Sequence, residues 1–228
     1  MIFICFSDLF FADAIILVEG DAEDVLLPYY ISQNEKLSKR FITILNIDGA
    51  HAFVYNNLLK LLGIPVLIIT DLDIKRDDTE KENFLQVDNL DHRETTNRTL
   101  AYYNSDSCEL VNEMTYLNDD NVMVVFQCKE NGFYPTSFEE AVILANYDNE
   151  LINGVLKNVK PKIYSEIVGD DIINNKNYSF KWQCKLASSK TKFANELLFR
   201  MLTSNDDFEL PKYIKDGLEY LESSTERG

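Results

Sequence analysis

A chain of 228 residues can form one substantial α/β domain, or a domain with a small appendage. With 46% hydrophobic and 12% aromatic residues it has ample material for a core, which excludes a disordered chain. The formal charge of −16 argues against a passive nucleic-acid binder, since phosphates attract basic surfaces, although carboxylates gathered around divalent cations would invert that field locally.

Met1 to Phe11 is apolar but short, lacks a basic leader and is broken by Asp8. It is neither a signal peptide nor a membrane span, and reads as an interior strand or domain edge of a longer protein. Ala14-Ile15-Ile16-Leu17-Val18 is an unbroken aliphatic run, the pattern of a parallel strand buried on both faces. It closes with Glu19-Gly20, and Asp21-Ala22-Glu23-Asp24 opens a helix through Leu26 and Leu27. Acidic residues suit a first helical turn for reasons of dipole alone. Glu19, however, stands at the carboxyl end of a buried strand, where open α/β sheets place their sites, and Glu23 lies four residues on. These two carboxylates begin a metal site.

Phe41 to Ile47 is a second strand, Asp48-Gly49-Ala50 a turn, and Phe53, Leu58, Leu59 and Leu62 form a helical stripe ending at Gly63. Val66-Leu67-Ile68-Ile69-Thr70 is a third strand, so the first seventy residues carry the βαβ alternation of a parallel sheet. This strand runs into Asp71-Leu72-Asp73, whose carboxylates fall on one side of an extended chain. Paired hard oxygens of this kind suit Mg²⁺ or Mn²⁺.

Residues 74–117 form a long polar insertion with little periodicity, in which Thr96 or Asn97 can cap a short helix. Val122 to Phe126 is a fourth strand. Pro135 to Leu144 enters a helix where Thr136 or Ser137 serves as the cap and Glu139 or Glu140 reaches back. Ser137 and Glu139 are equally placed to join the acidic strand ends. Leu151 to Asn177 reads as polar, asparagine-rich and irregular, and Tyr178 to Leu186 as a short element around Trp182. Ser188 or Ser189 caps a helix with Phe193, Ala194, Leu197 and Leu198 on its apolar face, and Phe208 to Leu221 is a final amphipathic helix. Lys190 falls in a first helical turn, against the dipole, which suggests a role elsewhere, such as holding a phosphate oxygen.

The acidity is uneven. Residues 1–154 carry 10 basic and 27 acidic side chains, whereas residues 155–200 carry 9 and 4. The basic stretch is either a phosphate-facing surface or a solvated lysine-rich face. Cys5, Cys108, Cys128 and Cys184 are scattered, and His51 and His92 are far from them in sequence, so neither a zinc site nor a disulfide framework is expected and the thiols point to a cytosolic protein.

Val-Glu-Gly with Glu23 beyond it, Asp-x-Asp after the third strand, Ser137-x-Glu139, and Lys190-x-x-Phe193-Ala194 together resemble the Toprim domain of overcoming-lysogenization-defect (OLD) family nucleases, with Gabija-type anti-phage nuclease subunits as the nearest variant. The resemblance covers roughly residues 9–200. It implies an α/β Toprim (Rossmann-like) fold with a central, mostly parallel sheet flanked by helices. On that basis residues 1–13 lead in from an N-terminal ATPase region, residues 14–150 are the catalytic core, and residues 151–228 are a helical extension completing the site.

The resemblance further implies a Mg²⁺- or Mn²⁺-dependent DNA endonuclease with two ions, serving prokaryotic anti-phage defence. Glu19, Glu23, Asp71, Asp73 and Glu139 would be ligands, with Ser137 beside them. Glu19 is alternatively a general acid–base group. Lys190, in preference to Lys192, would stabilise charge on the reacting phosphate. The implied partners are DNA, an ABC-type ATPase domain, a helicase-like protein and further copies of the chain, in the cytoplasm and without a membrane. Family members carry a phosphate loop in their ATPase domain, and no G-x-x-x-x-G-K-[ST] motif is present here. The alternatives are a non-catalytic Toprim scaffold, or another Toprim enzyme such as a primase or topoisomerase-like protein. An Asp-x-Asp phosphatase is disfavoured because that motif would follow the first strand.

Overall fold

The computed structural model describes residues 6–112, 114–204 and 206–226. Of the apolar opening, Met1 to Cys5 lies outside the described residues, and Phe6–Leu9 is a short helix, α1, rather than a strand. Five strands follow: β1 (Ala14–Val18), β2 (Ile42–Asn46), β3 (Val66–Ile69), β4 (Tyr116–Asp119) and β5 (Val122–Val125). They form one sheet in the order β2-β1-β3-β5-β4. The first four in that order are parallel, and β4 adds to the edge as an antiparallel hairpin partner of β5.

The order reverses at β1. The chain moves to β2 on one side and crosses to β3 on the other, so the switch point lies between the carboxyl ends of β1 and β3. Alternating side chains feed two layers. Ala14, Ile16, Val18, Leu67, Ile69, Met123 and Val125 face one cluster, while Ile15, Leu17, Val66, Ile68, Val122 and Val124 face another. The second layer is covered by α3 (Asn56–Leu62), which ends at Gly63 in the left-handed conformation (φ 67°) that glycine adopts without strain.

The first layer holds α2 (Asp21–Gln33) and most of the C-terminal helices. The insertion after β3 carries α4 (Asp78–Glu82) and α5 (Arg98–Tyr103), and it buries its own cluster of Leu72, Val87, Leu90, Leu100, Leu110 and Phe126. It is more ordered than its polarity suggests. The expected helix after Pro135 is α6 (Phe138–Ala145).

Residues 151–177 depart from expectation. They contain most of α7 (Glu150–Val159), and all of α8 (Pro161–Ile167) and α9 (Asn174–Asn177). Leu151, Ile152, Val155, Leu156 and Val159 make a buried stripe, and Asn153 and Asn175 are buried connectors. Asn175 donates to Asn153 Oδ1 at 2.7 Å and accepts from Trp182 Nε1 at 2.8 Å. Then come α10 (Ser179–Leu186), α11 (Lys190–Thr203) and α12 (Lys212–Thr225). The last helix starts later than the apolar pattern implies, because Pro211 takes its N-cap. Ser189 occupies the N-cap of α11, yet its hydroxyl makes no capping bond.

Helix α11 packs on α2 and α7, and α12 packs on β3 and β5. Gly217 lets α12 lie close to the sheet, since a Cβ there would stand 2.9 Å from Leu67 Cδ1. Side chains of residues 151–228 and of β1, β3 and β5 therefore share one core. No helix among the described residues is long and apolar enough to cross a membrane, and Cys108, Cys128 and Cys184 are free thiols.

Candidate metal centre

Glu19, Glu23, Asp71, Asp73, Ser137, Glu139 and Lys190 meet around the switch point, although they span 171 positions of the chain. A cleft of about 340 Å³ is lined by Glu19, Glu23, Asp71 and Lys190 together with the Gly20-Asp21 and Asp48-Gly49 turns. Glu23 and Glu139 are buried, Glu19 and Asp71 are half-buried at its wall, and Asp73 is half-buried beside them.

The Glu-Gly pair has a local reason. A Cβ at Gly20 would lie 2.9 Å from Glu23 Oε2, so glycine lets that carboxylate fold against the turn leaving β1 without having to shift. At the end of β3, Asp73 adopts φ 43°, an uncommon conformation for a residue with a side chain. Backbone bonds to Thr96 and Thr136 hold it there, with Asp73 O accepting from Thr96 N at 2.9 Å and Asp73 N donating to Thr136 O at 3.3 Å.

At the start of α6 the two glutamates divide their work. Glu140 Oε2 accepts from Thr136 N at 2.8 Å and its other oxygen from Ser179 at 2.8 Å, so it is Glu140 that reaches back. Glu139 is thereby left to face the cleft, where its Oε2 accepts from Ser137 Oγ at 3.1 Å and pairs with Lys190 Nζ at 3.0 Å. Lys192 is exposed and lies on the side of Glu196. Of the two lysines, Lys190 is the one brought to the carboxylates.

Crowding of like charge in a poorly hydrated place raises carboxyl pKa values. Burial, partly offset by bonds from Thr70 and Asn97, pushes Glu19 up to about 7. Burial and the neighbouring Glu139 push Glu23 up to about 8. Asp71 is raised well above its ordinary range by burial and then by Glu23 and Glu19, and Asp73 is raised chiefly by burial. Burial works against the Lys190 ammonium, but Glu139 and Asp71 outweigh it and hold its pKa above the usual lysine value.

Four further residues complete the site. Thr70 donates its hydroxyl to Glu19 Oε1. Asn97 Nδ2 lies 3.1 Å from the same oxygen. Gln127 Nε2 donates to Asp71 Oδ1 at 2.7 Å, and the same nitrogen is 3.2 Å from the hydroxyl of Tyr213 on α12. Thr70 and Gln127 stand just beyond the ends of β3 and β5, a position that marks a site in a parallel sheet. Asn97 is legible from sequence only as a helix cap, and nothing in sequence singles out Tyr213.

The donor set suits a hard divalent cation: carboxylate oxygens from β1, α2, the β3 end and α6, one hydroxyl, and electrostatic strain that a cation would relieve. As they stand, no three His, Cys, Asp or Glu side chains among the described residues close around one point as ligands. Hydrogen-bond donors from Thr70, Asn97, Gln127 and Lys190 occupy several of their oxygens instead.

A mostly parallel sheet with an acidic cluster at its switch point, Glu-Gly closing the first strand and Asp-x-Asp the third, defines a Toprim fold. Residues 10–73 match the family model described as overcoming lysogenization defect protein-like, TOPRIM domain. The C-terminal region of the Burkholderia pseudomallei OLD protein has the same fold, with a TM-score of 0.50 at 20% identity over 94% of this chain and 99% of that one. Endonuclease GajA of Bacillus cereus (strain HuB5-5) is 51% identical over 226 residues, which are 96% of this chain and 33% of that protein. The chain thus spans about a third of the length of that relative.

Proposed function

We propose that the chain is the catalytic Toprim region of a metal-dependent DNA endonuclease in anti-phage defence. The observation that carries this is the meeting of Glu19, Glu23, Asp71 and Lys190 in a single cleft, with Glu139 paired to that lysine and Asp73 joined to Glu19 through Asn97. The likeness to an endonuclease at 51% identity supports the reaction class.

Glu19, Glu23, Asp71, Asp73 and Glu139, with Ser137, would hold two Mg²⁺ or Mn²⁺ ions. Bound there, the ions would polarise the scissile phosphate and activate water for in-line displacement. The chain's own groups do the rest. Lys190, already at the cleft through Glu139, would offer its ammonium to the phosphoryl oxygen that gains charge. Glu19, with a pKa near neutrality and Oε1 held by Thr70, has Oε2 as the atom to take or return a proton if it does not ligate. The lysines between Lys157 and Lys192 on α7, α8, α10 and α11 belong to a stretch of this acidic chain in which basic side chains outnumber acidic ones, and would be the groups to meet phosphates. The same proposal includes an ABC-type ATPase domain, a helicase-like partner protein and further copies of the chain, working in the cytoplasm.

Cleavage of supercoiled plasmid with Mg²⁺, and separately Mn²⁺, tests it on wild type, Glu19→Ala and Lys190→Ala. Metal-dependent cutting that falls on the order of a hundredfold or more in both variants supports these roles. Cutting that survives Glu19→Ala refutes the site. A wild type that neither cuts nor binds metal, even when joined to an ATPase region, is a Toprim scaffold and not a nuclease.

A further inference from the structure

We propose that Asn97 is a positioning residue of this site, whose carboxamide ties Glu19 at the end of β1 to the Thr70–Asp73 segment after β3 and so fixes the span of the cleft. This rests on the metal-binding role proposed for those carboxylates. Asn97 is 1% exposed. Its Nδ2 lies 2.8 Å from the Asp71 carbonyl oxygen, 2.9 Å from Thr70 Oγ1, 3.1 Å from Glu19 Oε1 and 3.5 Å from Asp73 Oδ2. Every one of these is an acceptor toward it, since the Thr70 hydroxyl spends its proton on Glu19.

The direction of the amide is not arbitrary. Asn97 Oδ1 accepts from Leu100 N at 2.9 Å as the N-cap of α5, so the NH₂ group must face the acceptors. The loop beneath it is tied down as well. Asn97 N donates to Thr95 Oγ1 at 2.9 Å, and Thr95 donates to the Leu72 carbonyl oxygen at 2.8 Å.

A lysine or arginine here would draw the carboxylates together by cancelling their charge. A neutral carboxamide draws them together and leaves the charge for a cation. Its two hydrogens are shared among oxygens of two strand ends, so a shift of Asn97 moves Glu19 and Asp73 together. Groups that orient ligands in this way are worth about 10- to 100-fold in metal affinity or activity.

Asn97→Ser separates positioning from capping, because serine is an equally good N-cap but is too short to span both strand ends. Asn97→Thr is a second cap-competent variant should the first fold poorly. Mn²⁺ binding is followed by calorimetry, and plasmid cleavage as a function of Mn²⁺ concentration. The expected result is Mn²⁺ affinity lower by roughly 10- to 100-fold, with half-saturation of cleavage moved to higher Mn²⁺ in step and much of kcat recovered at saturation. A merely structural role would reduce the active fraction at unchanged half-saturation. Binding within threefold of wild type in a folded variant overturns the role of Asn97 and leaves the metal site intact. Absence of Mn²⁺ binding by wild type overturns both.

Discussion

Removing the charge of Glu23 should stabilise the metal-free protein at alkaline pH. Glu23 is 4% exposed, and burial followed by repulsion from Glu139 raises its pKa from 4.5 to about 8. A carboxyl raised by folding contributes stability that is complete below its unfolded pKa and is lost as the pH climbs through its folded pKa. Integrated to pH 8, a rise of this size amounts to roughly 4 kcal/mol. Neighbouring carboxylates share the repulsion and local relaxation weakens it, so about half, or ~2 kcal/mol, is expected for one substitution. Glu23→Gln keeps the shape and removes the charge. For a domain of this size ~2 kcal/mol corresponds to a Tm about 4–8 °C higher at pH 8, shrinking toward zero by pH 5. Thermal unfolding in excess chelator, wild type and variant side by side from pH 5 to 8.5, reads the difference directly. Curves that run parallel across that range would refute the claim that Glu23 is held protonated by its surroundings. A variant less stable than wild type at pH 8 would show that the carboxylate makes a favourable contact there.

With Glu19 raised to about 7 and Glu23 to about 8, metal must displace protons at neutral pH. Mn²⁺ affinity is therefore expected to rise between about pH 6 and pH 8 and then to level off, and the binding heat at pH 7 should depend on the ionisation enthalpy of the buffer; buffer-independent heats would contradict this. Gly217→Ala, usually a gain within a helix, should here cost about 1–3 kcal/mol in urea unfolding, because the new methyl meets Leu67 and Val125. Asn175→Ala should lower stability by about 1–3 kcal/mol, since it strands the buried Trp182 indole N–H, whereas the Asn153 carbonyl keeps the Tyr164 hydroxyl; a loss under half a kcal/mol would mean that water replaces it freely.

The parallel sheet was legible because β1, β3 and β5 are unbroken aliphatic runs, and their ends pointed to Glu19, Asp71 and Asp73. Strand β4 was hidden for the opposite reason: as an edge strand, Tyr-Leu-Asn-Asp, it buries little and shows no strong pattern. Helices α7 to α9 were obscured by asparagines, which usually signal loops but here bond to each other and to Trp182 inside the fold. At α6 local pattern left Glu139 and Glu140 interchangeable, and only tertiary partners distinguish them: Ser179 for Glu140, Lys190 for Glu139. Asn97 posed the same difficulty. Its capping role is written in four consecutive residues, whereas its contact with Glu19 spans 78 positions and exists only after the sheet has closed.

Helix α11 supplies the one lysine that lines the cleft among the described residues, and it is held there by packing on α2 and by a Thr191–Asp21 bond of 2.9 Å. Synthesis runs from the amino terminus, so every carboxylate of the cluster is made before Lys190. A chain interrupted short of α11 would hold the acidic cluster without its cation and without much of the core that supports it. On the function proposed above, this order of assembly would act as a safeguard: unfinished copies would lack the group proposed to stabilise charge on the phosphate.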